Sequence, residues 1–245
     1  MSHAITKRQL REQRRAERQA REAAERARAT RRRRLLQLGG AVGLAAVVLA
    51  VAIAVSSGGG GAKPSATQSV AALRGIPEHN GVLGKRSAPT TVTEFLDLQC
   101  PICARTSREL MPSVIRDYVR TGKVKLQART LHFIGPESAT AARFAAGAQA
   151  QGRLWPFIDA FYAQQGAENS GYVTDAFLRT VAAEAGVNAN QALAYAATAK
   201  AQKPLTRADA EAAKLGVNGT PTFVVQRGNG APQVVSADGL VAALG

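Results

Sequence analysis

The stretch that decides the fold is residues 91–104, TVTEFLDLQCPICA, in which an apolar run meets a pair of cysteines. β-Branched and aromatic residues are frequent from Thr91 to Leu98, and the run contains neither Gly nor Pro, so it predicts a β-strand. Pro101 is typical of the first position of a helix, where a missing N–H costs nothing. The predicted order is therefore strand, Cys100, helix.

The position of Cys100 predicts an acidic thiol. A sulfur at a helix N-terminus faces unpaired backbone N–H groups and the positive end of the helix dipole, and both favour the thiolate. Cys103 lies one turn further along the same face and can close a short disulfide with Cys100. These are the only two cysteines in 245 residues. A redox-active pair is therefore the first interpretation of the motif.

A zinc site and an inert cysteine pair are the alternative interpretations. A structural disulfide stabilises a protein mainly by closing a long loop, and this pair closes almost none. A zinc site needs about four ligands, whereas the histidines, His3, His79 and His132, are scattered along the chain. The sequence therefore predicts redox chemistry that uses neither a metal nor a bound cofactor.

The N-terminal part of the chain differs in composition from the rest. Residues 1–34 hold 13 Lys and Arg against four Glu, and they supply most of the net charge of +15. Residues 35–55 contain no charged residue, and as a helix they would span about 31 Å, close to the thickness of a bilayer core. We predict a basic tail at 1–34, a transmembrane helix at 35–55 and a flexible linker at 56–69.

The charges that flank residues 35–55 predict how this helix is oriented. Four arginines, 31–34, precede the helix and a neutral segment follows it, so the positive-inside rule places the tail in the cytoplasm and the following domain outside the cell membrane. A cleaved secretory signal or a twin-arginine signal is the alternative, although both the charged and the apolar segments are long for a cleaved signal. The tail has no interleaved aromatic residues, so we do not predict nucleic-acid binding. A scaffolding role for the tail is the alternative outside enzymology.

Residues 70–245 predict one α/β domain. VKLQART, at 124–130, alternates with period two, which predicts a second strand and a right-handed β–α–β unit. From about 138 to 215, apolar residues recur at helical spacing, which predicts a helical insertion. Residues 216–225, GVNGTPTFVV, return to a strand pattern.

Short motifs spread over this domain carry a resemblance to a known family. They are EFLDLQCPIC at 94–103, LMP at 110–112, GKV at 122–124, LWPF at 154–157 and GTPT at 219–222. Together they resemble the DsbA-like thioredoxin-fold thiol–disulfide oxidoreductases, in the membrane-anchored form of Gram-positive bacteria and actinobacteria. The resemblance covers roughly residues 70–245 and implies a thioredoxin-like fold with a helical insertion.

The resemblance implies roles for the residues around the cysteine pair. Cys100 and Cys103 would exchange disulfides, and Glu94 would be a buried acid that carries protons to or from Cys103. Glu94 shares a strand face with Leu96, which favours burial and a raised pKa; a carboxylate that faces solvent is the alternative. Asp97 points to the opposite face and is expected to be structural.

The resemblance also implies a substrate-binding surface. Thr220 and Pro221 would form a cis-proline loop that faces the cysteines and offers backbone groups to an extended substrate chain. Pro101 and Ile102, between the two cysteines, would contact the same substrate.

The predicted function is the transfer of a disulfide to exported proteins that carry free thiols. As the resemblance implies, a quinone-linked membrane oxidase, of the DsbB or vitamin-K-epoxide-reductase-like kind, would reoxidise the pair. Pro101–Ile102 lacks the histidine that lies between the cysteines of the strongest oxidant in the family. A disulfide isomerase or reductase, kept reduced by a transmembrane electron carrier, is therefore the alternative function.

Overall fold

The computed structural model describes residues 70–245. The predicted tail at 1–34, transmembrane helix at 35–55 and linker at 56–69 lie outside the described residues. Within residues 70–245, no helix has both the length and the apolar character needed to cross a bilayer.

A single mixed sheet organises the described residues. Its strands, in chain order, are β1 (Glu78–His79), β2 (Val82–Leu83), β3 (Thr90–Asp97), β4 (Val124–Leu131), β5 (Thr222–Arg227) and β6 (Gln233–Val235). Their order in the sheet is β1-β2-β4-β3-β5-β6. β3 and β4 run parallel, and β3 and β5 run antiparallel. The strand that precedes the cysteines therefore has a hydrogen-bonded neighbour on each side, at the centre of the sheet.

The helix after β3 is broken by a proline. α1 (Pro101–Glu109) ends before α2 (Met111–Val114), which continues as a π-helical turn, Ile115–Val119. Pro112 cannot donate a backbone hydrogen bond, and its ring crowds the carbonyl group one turn earlier. The parallel pairing of β3 with β4, the strands before and after these helices, confirms the predicted β–α–β unit.

The helical insertion lies between β4 and β5, as predicted. Its α-helices are α3 (Pro136–Ala150), α4 (Leu154–Ala163), α5 (Asp175–Ala185), α6 (Ala189–Ala196) and α7 (Gln202–Leu215), with a 3-10 turn at Ala199–Ala201. Phe144, Phe157 and Phe161 are buried, with ring centroids 5.2 and 5.9 Å apart along the series. The aromatic side chains of the insertion therefore belong to the same hydrophobic core as the sheet.

The end of the insertion returns the chain to the cysteine pair. Gly216 ends α7 with φ of 69°, a left-handed conformation that glycine adopts without a steric penalty. β5 then runs antiparallel to β3, with Thr222 opposite Phe95. The Thr220–Pro221 loop therefore lies at the same end of the sheet as Cys100. α8 (Ala237–Leu244) completes the described chain.

Candidate active site

The two cysteines lie at the junction of β3 and α1. Cys100 is the N-cap residue of α1, and its sulfur accepts a hydrogen bond from the backbone N–H of Cys103 at 3.2 Å. Both cysteines are free thiols; Cys100 is 5% exposed and Cys103 is fully buried. The thiol that an incoming substrate can reach is therefore that of Cys100.

The Thr220–Pro221 loop contacts this thiol from the opposite side. The Cys100 sulfur lies 3.4 Å from the carbonyl oxygen of Thr220, to which it donates a hydrogen bond when it is protonated. The peptide bond between Thr220 and Pro221 is cis, as the family resemblance implied. The structure thus brings together two segments that are 120 residues apart in sequence.

The two thiols have opposite pKa shifts. A hydrogen bond from the Cys103 thiol lowers the pKa of Cys100 to about 6, against the effect of burial, and further hydrogen bonds add to this. Burial raises the pKa of Cys103 well above its ordinary value, and the neighbouring Cys100 raises it further. Near neutral pH the reduced pair therefore holds a Cys100 thiolate beside a protonated Cys103.

Glu94 is buried in β3, on the predicted face. Its side chain is 2% exposed. Burial raises the pKa of Glu94 to about 8, and the charges of Asp159 and Cys100 raise it further. A carboxyl group with this pKa holds a proton near neutral pH and can release it when a neighbouring group needs one. The alternative of a carboxylate that faces solvent is therefore wrong.

Asp159 is a second acid at the site, and it is not among the residues predicted from the sequence. It lies on α4, and its carboxylate accepts a hydrogen bond from the Ser107 hydroxyl at 3.1 Å. Burial raises the pKa of Asp159 to about 7, while the Ser107 hydrogen bond lowers it. The available signal was a single acid in an otherwise apolar helix, LWPFIDAFYA.

Asp97 fixes the end of β3 from the other face. Its buried carboxylate accepts hydrogen bonds from Gln99 N at 2.9 Å, Ser138 Oγ at 2.7 Å and Ile134 N at 3.3 Å. These partners belong to the active-site turn, the start of α3 and the loop before it. Asp97 therefore has the structural position that the sequence indicated.

The residues between the cysteines face solvent. Pro101 is exposed, and the Ile102 side chain is 50% exposed. Ile102, Arg105, Thr220, Pro221 and Val241 line part of a cleft of about 640 Å³ beside the cysteine pair. Every residue predicted to bind substrate therefore lies at this end of the sheet. Among residues 70–245, no cluster of three or more His, Cys, Asp or Glu side chains could hold a metal ion.

A protein-family model and curated proteins resemble this chain. The family model described as Thioredoxin matches residues 78–237. A probable disulfide bond formation protein D of Bacillus cereus is 29% identical over 147 residues, which cover 58% of this chain and 68% of that protein. The corresponding Bacillus anthracis protein is 34% identical over 104 residues, 42% of this chain. That alignment spans 48% of the Bacillus anthracis protein, about half its length.

Solved structures resemble the fold. Oxidised BdbD of Bacillus subtilis superposes with a TM-score of 0.60 at 23% identity, over 69% of this chain and 94% of that one. A thioredoxin-like oxidoreductase of Silicibacter pomeroyi superposes with a TM-score of 0.54 at 30% identity, over 66% of this chain and 88% of that one. DsbA2 of Pseudomonas aeruginosa superposes with a TM-score of 0.54 at 22% identity, over 70% of this chain and 95% of that one. The predicted resemblance to DsbA-like thioredoxin-fold proteins is confirmed.

Proposed function

The chain belongs to the thioredoxin family, and from this premise we propose that it is a thiol–disulfide oxidoreductase that introduces disulfides into exported proteins. The observation that carries the proposal is the asymmetry of the cysteine pair. The Cys100 sulfur is hydrogen-bonded at a helix N-terminus and has a pKa of about 6, whereas Cys103 is buried with a raised pKa. A stable Cys100 thiolate leaves readily from a mixed disulfide and stabilises the reduced pair, as a disulfide donor requires.

The reaction begins with the oxidised pair. A substrate thiolate attacks the Cys100 sulfur, the Cys100–Cys103 bond breaks, and Cys103 leaves with the electron pair. A second substrate thiolate then attacks the substrate sulfur of the mixed disulfide, and Cys100 leaves as a stable thiolate. The substrate loses two electrons and becomes a disulfide, and the enzyme gains them as a reduced pair.

Glu94 would supply the proton that Cys103 needs. Cys103 leaves as a thiolate in a buried site, where a charged sulfur is unfavourable. Glu94 is protonated below about pH 8 and can protonate that sulfur, directly or through one water molecule. In the reverse direction the same group would accept the Cys103 proton.

The cleft beside the pair would bind the substrate chain. Pro221 lacks a backbone N–H, so the donor that these two residues can offer to an extended peptide is the backbone N–H of Thr220. The exposed Ile102 and its neighbour Pro101 offer an apolar contact beside the reacting sulfur. This arrangement suits unfolded chains of varied sequence, because backbone contacts do not select side chains.

The proposed location and partners depend on residues 1–55. The apolar segment at 35–55 would anchor the protein as a single transmembrane helix, with the basic tail at 1–34 in the cytoplasm. The domain at 70–245 would then act outside the cell membrane, tethered by 56–69. A quinone-linked membrane oxidase of the DsbB or vitamin-K-epoxide-reductase-like kind would reoxidise it.

A disulfide isomerase or reductase is the second candidate function. The observation that favours it is Ile102, because an apolar side chain between the cysteines gives the thiolate no cationic neighbour there. The two functions differ in reduction potential. Equilibrium with glutathione would distinguish them, since a potential near about −270 mV, like that of thioredoxin, would contradict the oxidase.

The proposed function is tested by trapping its intermediate. In Cys103→Ala the resolving thiol is missing, so mixed disulfides between Cys100 and exported proteins should accumulate in cells. They would appear on non-reducing gels as adducts that collapse when a reductant is added. The double variant Cys100→Ala/Cys103→Ala is the control. Adducts equally abundant in the double variant, or absent from both, would refute the proposal.

A further inference from the structure

Gln165 connects the helical insertion to the backbone of the redox site. It follows α4 and is half-buried. Its side-chain nitrogen donates hydrogen bonds to the carbonyl oxygens of Leu98, at 2.8 Å, and Cys100, at 3.1 Å. A side-chain amide nitrogen carries two protons, so both are used on the turn between β3 and α1.

The other groups of this turn are also held by hydrogen bonds. Gln99 N, which belongs to the same peptide unit as the Leu98 carbonyl, donates to the Asp97 carboxylate at 2.9 Å. The Cys100 carbonyl also accepts the first helical hydrogen bond of α1, from Ala104 N at 3.1 Å. Gln165 therefore bonds to two peptide units that have other hydrogen bonds as well, one to Asp97 and one within α1.

The conformation of this turn determines where the Cys100 sulfur lies. Cys100 has φ of −71° and ψ of 116°, and with this backbone its sulfur reaches the backbone N–H of Cys103 at 3.2 Å. A rotation of the turn would lengthen this contact, which is charge-assisted when the sulfur is ionised. The Gln165 amide protons also place partial positive charge beside Cys100, which favours a negative sulfur.

We propose that Gln165 is a positioning residue for the redox reaction, because its hold on the Leu98 and Cys100 carbonyl groups keeps the Cys100 sulfur against the backbone N–H of Cys103. The insertion thereby contributes to the reactivity of a cysteine that belongs to the thioredoxin part of the fold. The inference rests on the proposed function, in that the stabilised thiolate serves disulfide exchange.

A purely structural role for Gln165 predicts a different result. If the two hydrogen bonds only attached the insertion, their loss would lower the stability of the fold and leave the ionisation of Cys100 unchanged. A titration of the Cys100 thiol separates these roles, because the burial of Cys103 raises its pKa well above the range of the experiment.

The test is this titration on full-length, reduced Gln165→Met. Methionine keeps the length and flexibility of the side chain and removes both donors. We expect the pKa of Cys100 to rise from about 6 by 0.5 to 1, so that at pH 6 the thiolate fraction falls from about one half to about one quarter or less. Thiolate absorbance and the rate of alkylation by iodoacetamide should both report this decrease.

Gln164→Met is the matched control. Gln164 is also half-buried, and its side-chain nitrogen donates to the Ala160 carbonyl at 3.4 Å and the Glu184 carboxylate at 3.1 Å. Neither acceptor belongs to the turn that carries Cys100. This variant loses the same number of hydrogen bonds from the adjacent residue and should keep the wild-type thiol pKa.

Gln165→Glu is a second variant that keeps the shape of the side chain. It replaces the donor nitrogen with a carboxylate oxygen next to two carbonyl groups, and we expect a larger rise in the Cys100 pKa than in Gln165→Met. It also provides the comparison if Gln165→Met does not fold. A wild-type Cys100 pKa in either folded variant would overturn the inference. An ordinary cysteine pKa in the wild-type protein would instead contradict the proposed function, so the two failures are distinguishable.

Discussion

The backbone N–H of Cys103 donates a hydrogen bond to the Cys100 sulfur across 3.2 Å. The contact is stronger when the sulfur is ionised, so it stabilises the reduced pair relative to the disulfide. Because the folded pKa of Cys100 is lowered to about 6, this stabilisation is complete above the pKa of an unfolded cysteine and is lost as the pH falls through 6. A stabilised reduced form makes the disulfide a stronger oxidant.

A cation between the cysteines should strengthen this effect. In Ile102→His the imidazole would lie beside Cys100 at a position that is 50% exposed, and its positive charge would lower the thiol pKa further. We expect the reduction potential to rise by about 30 mV or more, equivalent to about 1.4 kcal/mol. Equilibration with glutathione measures the potential. Ile102→Leu adds no charge and should keep the wild-type reduction potential. An unchanged potential in Ile102→His would contradict the electrostatic explanation.

Glu94 should make the stability of the protein depend on pH. Its folded pKa is raised to about 8, so it keeps a proton that the unfolded chain releases near its ordinary pKa. Its contribution to stability is therefore complete below about pH 4.5 and is lost as the pH rises through 8. Glu94→Gln has no such loss. Between about pH 4.5 and pH 8, its free energy of unfolding should therefore rise by roughly 2–4 kcal/mol relative to that of the wild-type protein.

Urea denaturation across this pH range measures the Glu94 contribution. The disulfide should be closed, so that the thiols do not titrate. Glu109→Gln, at an exposed position of α1, removes a carboxyl group without a burial effect and should follow the wild-type curve. Parallel curves for wild type and Glu94→Gln would show that Glu94 is already ionised near neutral pH.

Asp159, on α4, should raise the pKa of Glu94, on β3. The Asp159 charge contributes to the raised pKa of Glu94, so Asp159→Asn should lower that pKa by about 0.5 to 1 unit. Carboxyl-carbon NMR of labelled protein would follow Glu94 directly. Asp175→Asn, at an exposed site of the insertion, makes the same change in charge and should have no effect. An unmoved Glu94 titration in Asp159→Asn would mean that the two acids are not coupled.

Asp97 should be the most important polar residue near the site for stability. Its carboxylate accepts hydrogen bonds from Gln99, Ile134 and Ser138. Asp97→Ala leaves these donors without their acceptor, and we expect a loss of about 3 kcal/mol or more in the free energy of unfolding. Ser138→Ala removes one of these bonds and should lose about 1 kcal/mol. Similar losses in the two variants would contradict the proposed structural role.

The sequence predicted those parts of the site that depend on local pattern. A strand over residues 91–98 and a helix that begins at Pro101 follow from residue type alone, and the structure has a strand at Thr90–Asp97 and a helix from Pro101. The alternation along β3 places Glu94 on the face of Leu96, and both side chains are buried. The proximity of Thr220 to Cys100 could be predicted only from the family resemblance, because no local pattern relates residues so far apart.

Contacts that depend on tertiary packing could not be predicted. Asp159 and Gln165 meet the redox site only because α4 packs against α1 and β3, and neither residue lies in a recognisable motif. β1 and β2 have two residues each, too few for a periodic signal. The sequence indicated an acidic Cys100 from its helix position, but the raised pKa of Cys103 arises from burial that only the packed fold reveals.

The central position of β3 has a consequence for biosynthesis. Its partner β5 and the Thr220 carbonyl that contacts Cys100 come more than one hundred residues later in the chain. During synthesis the two cysteines therefore leave the ribosome long before Thr220 does, and the sheet cannot be completed until β5 has been synthesised. The surroundings of Cys100 are therefore completed only after the helical insertion has been synthesised.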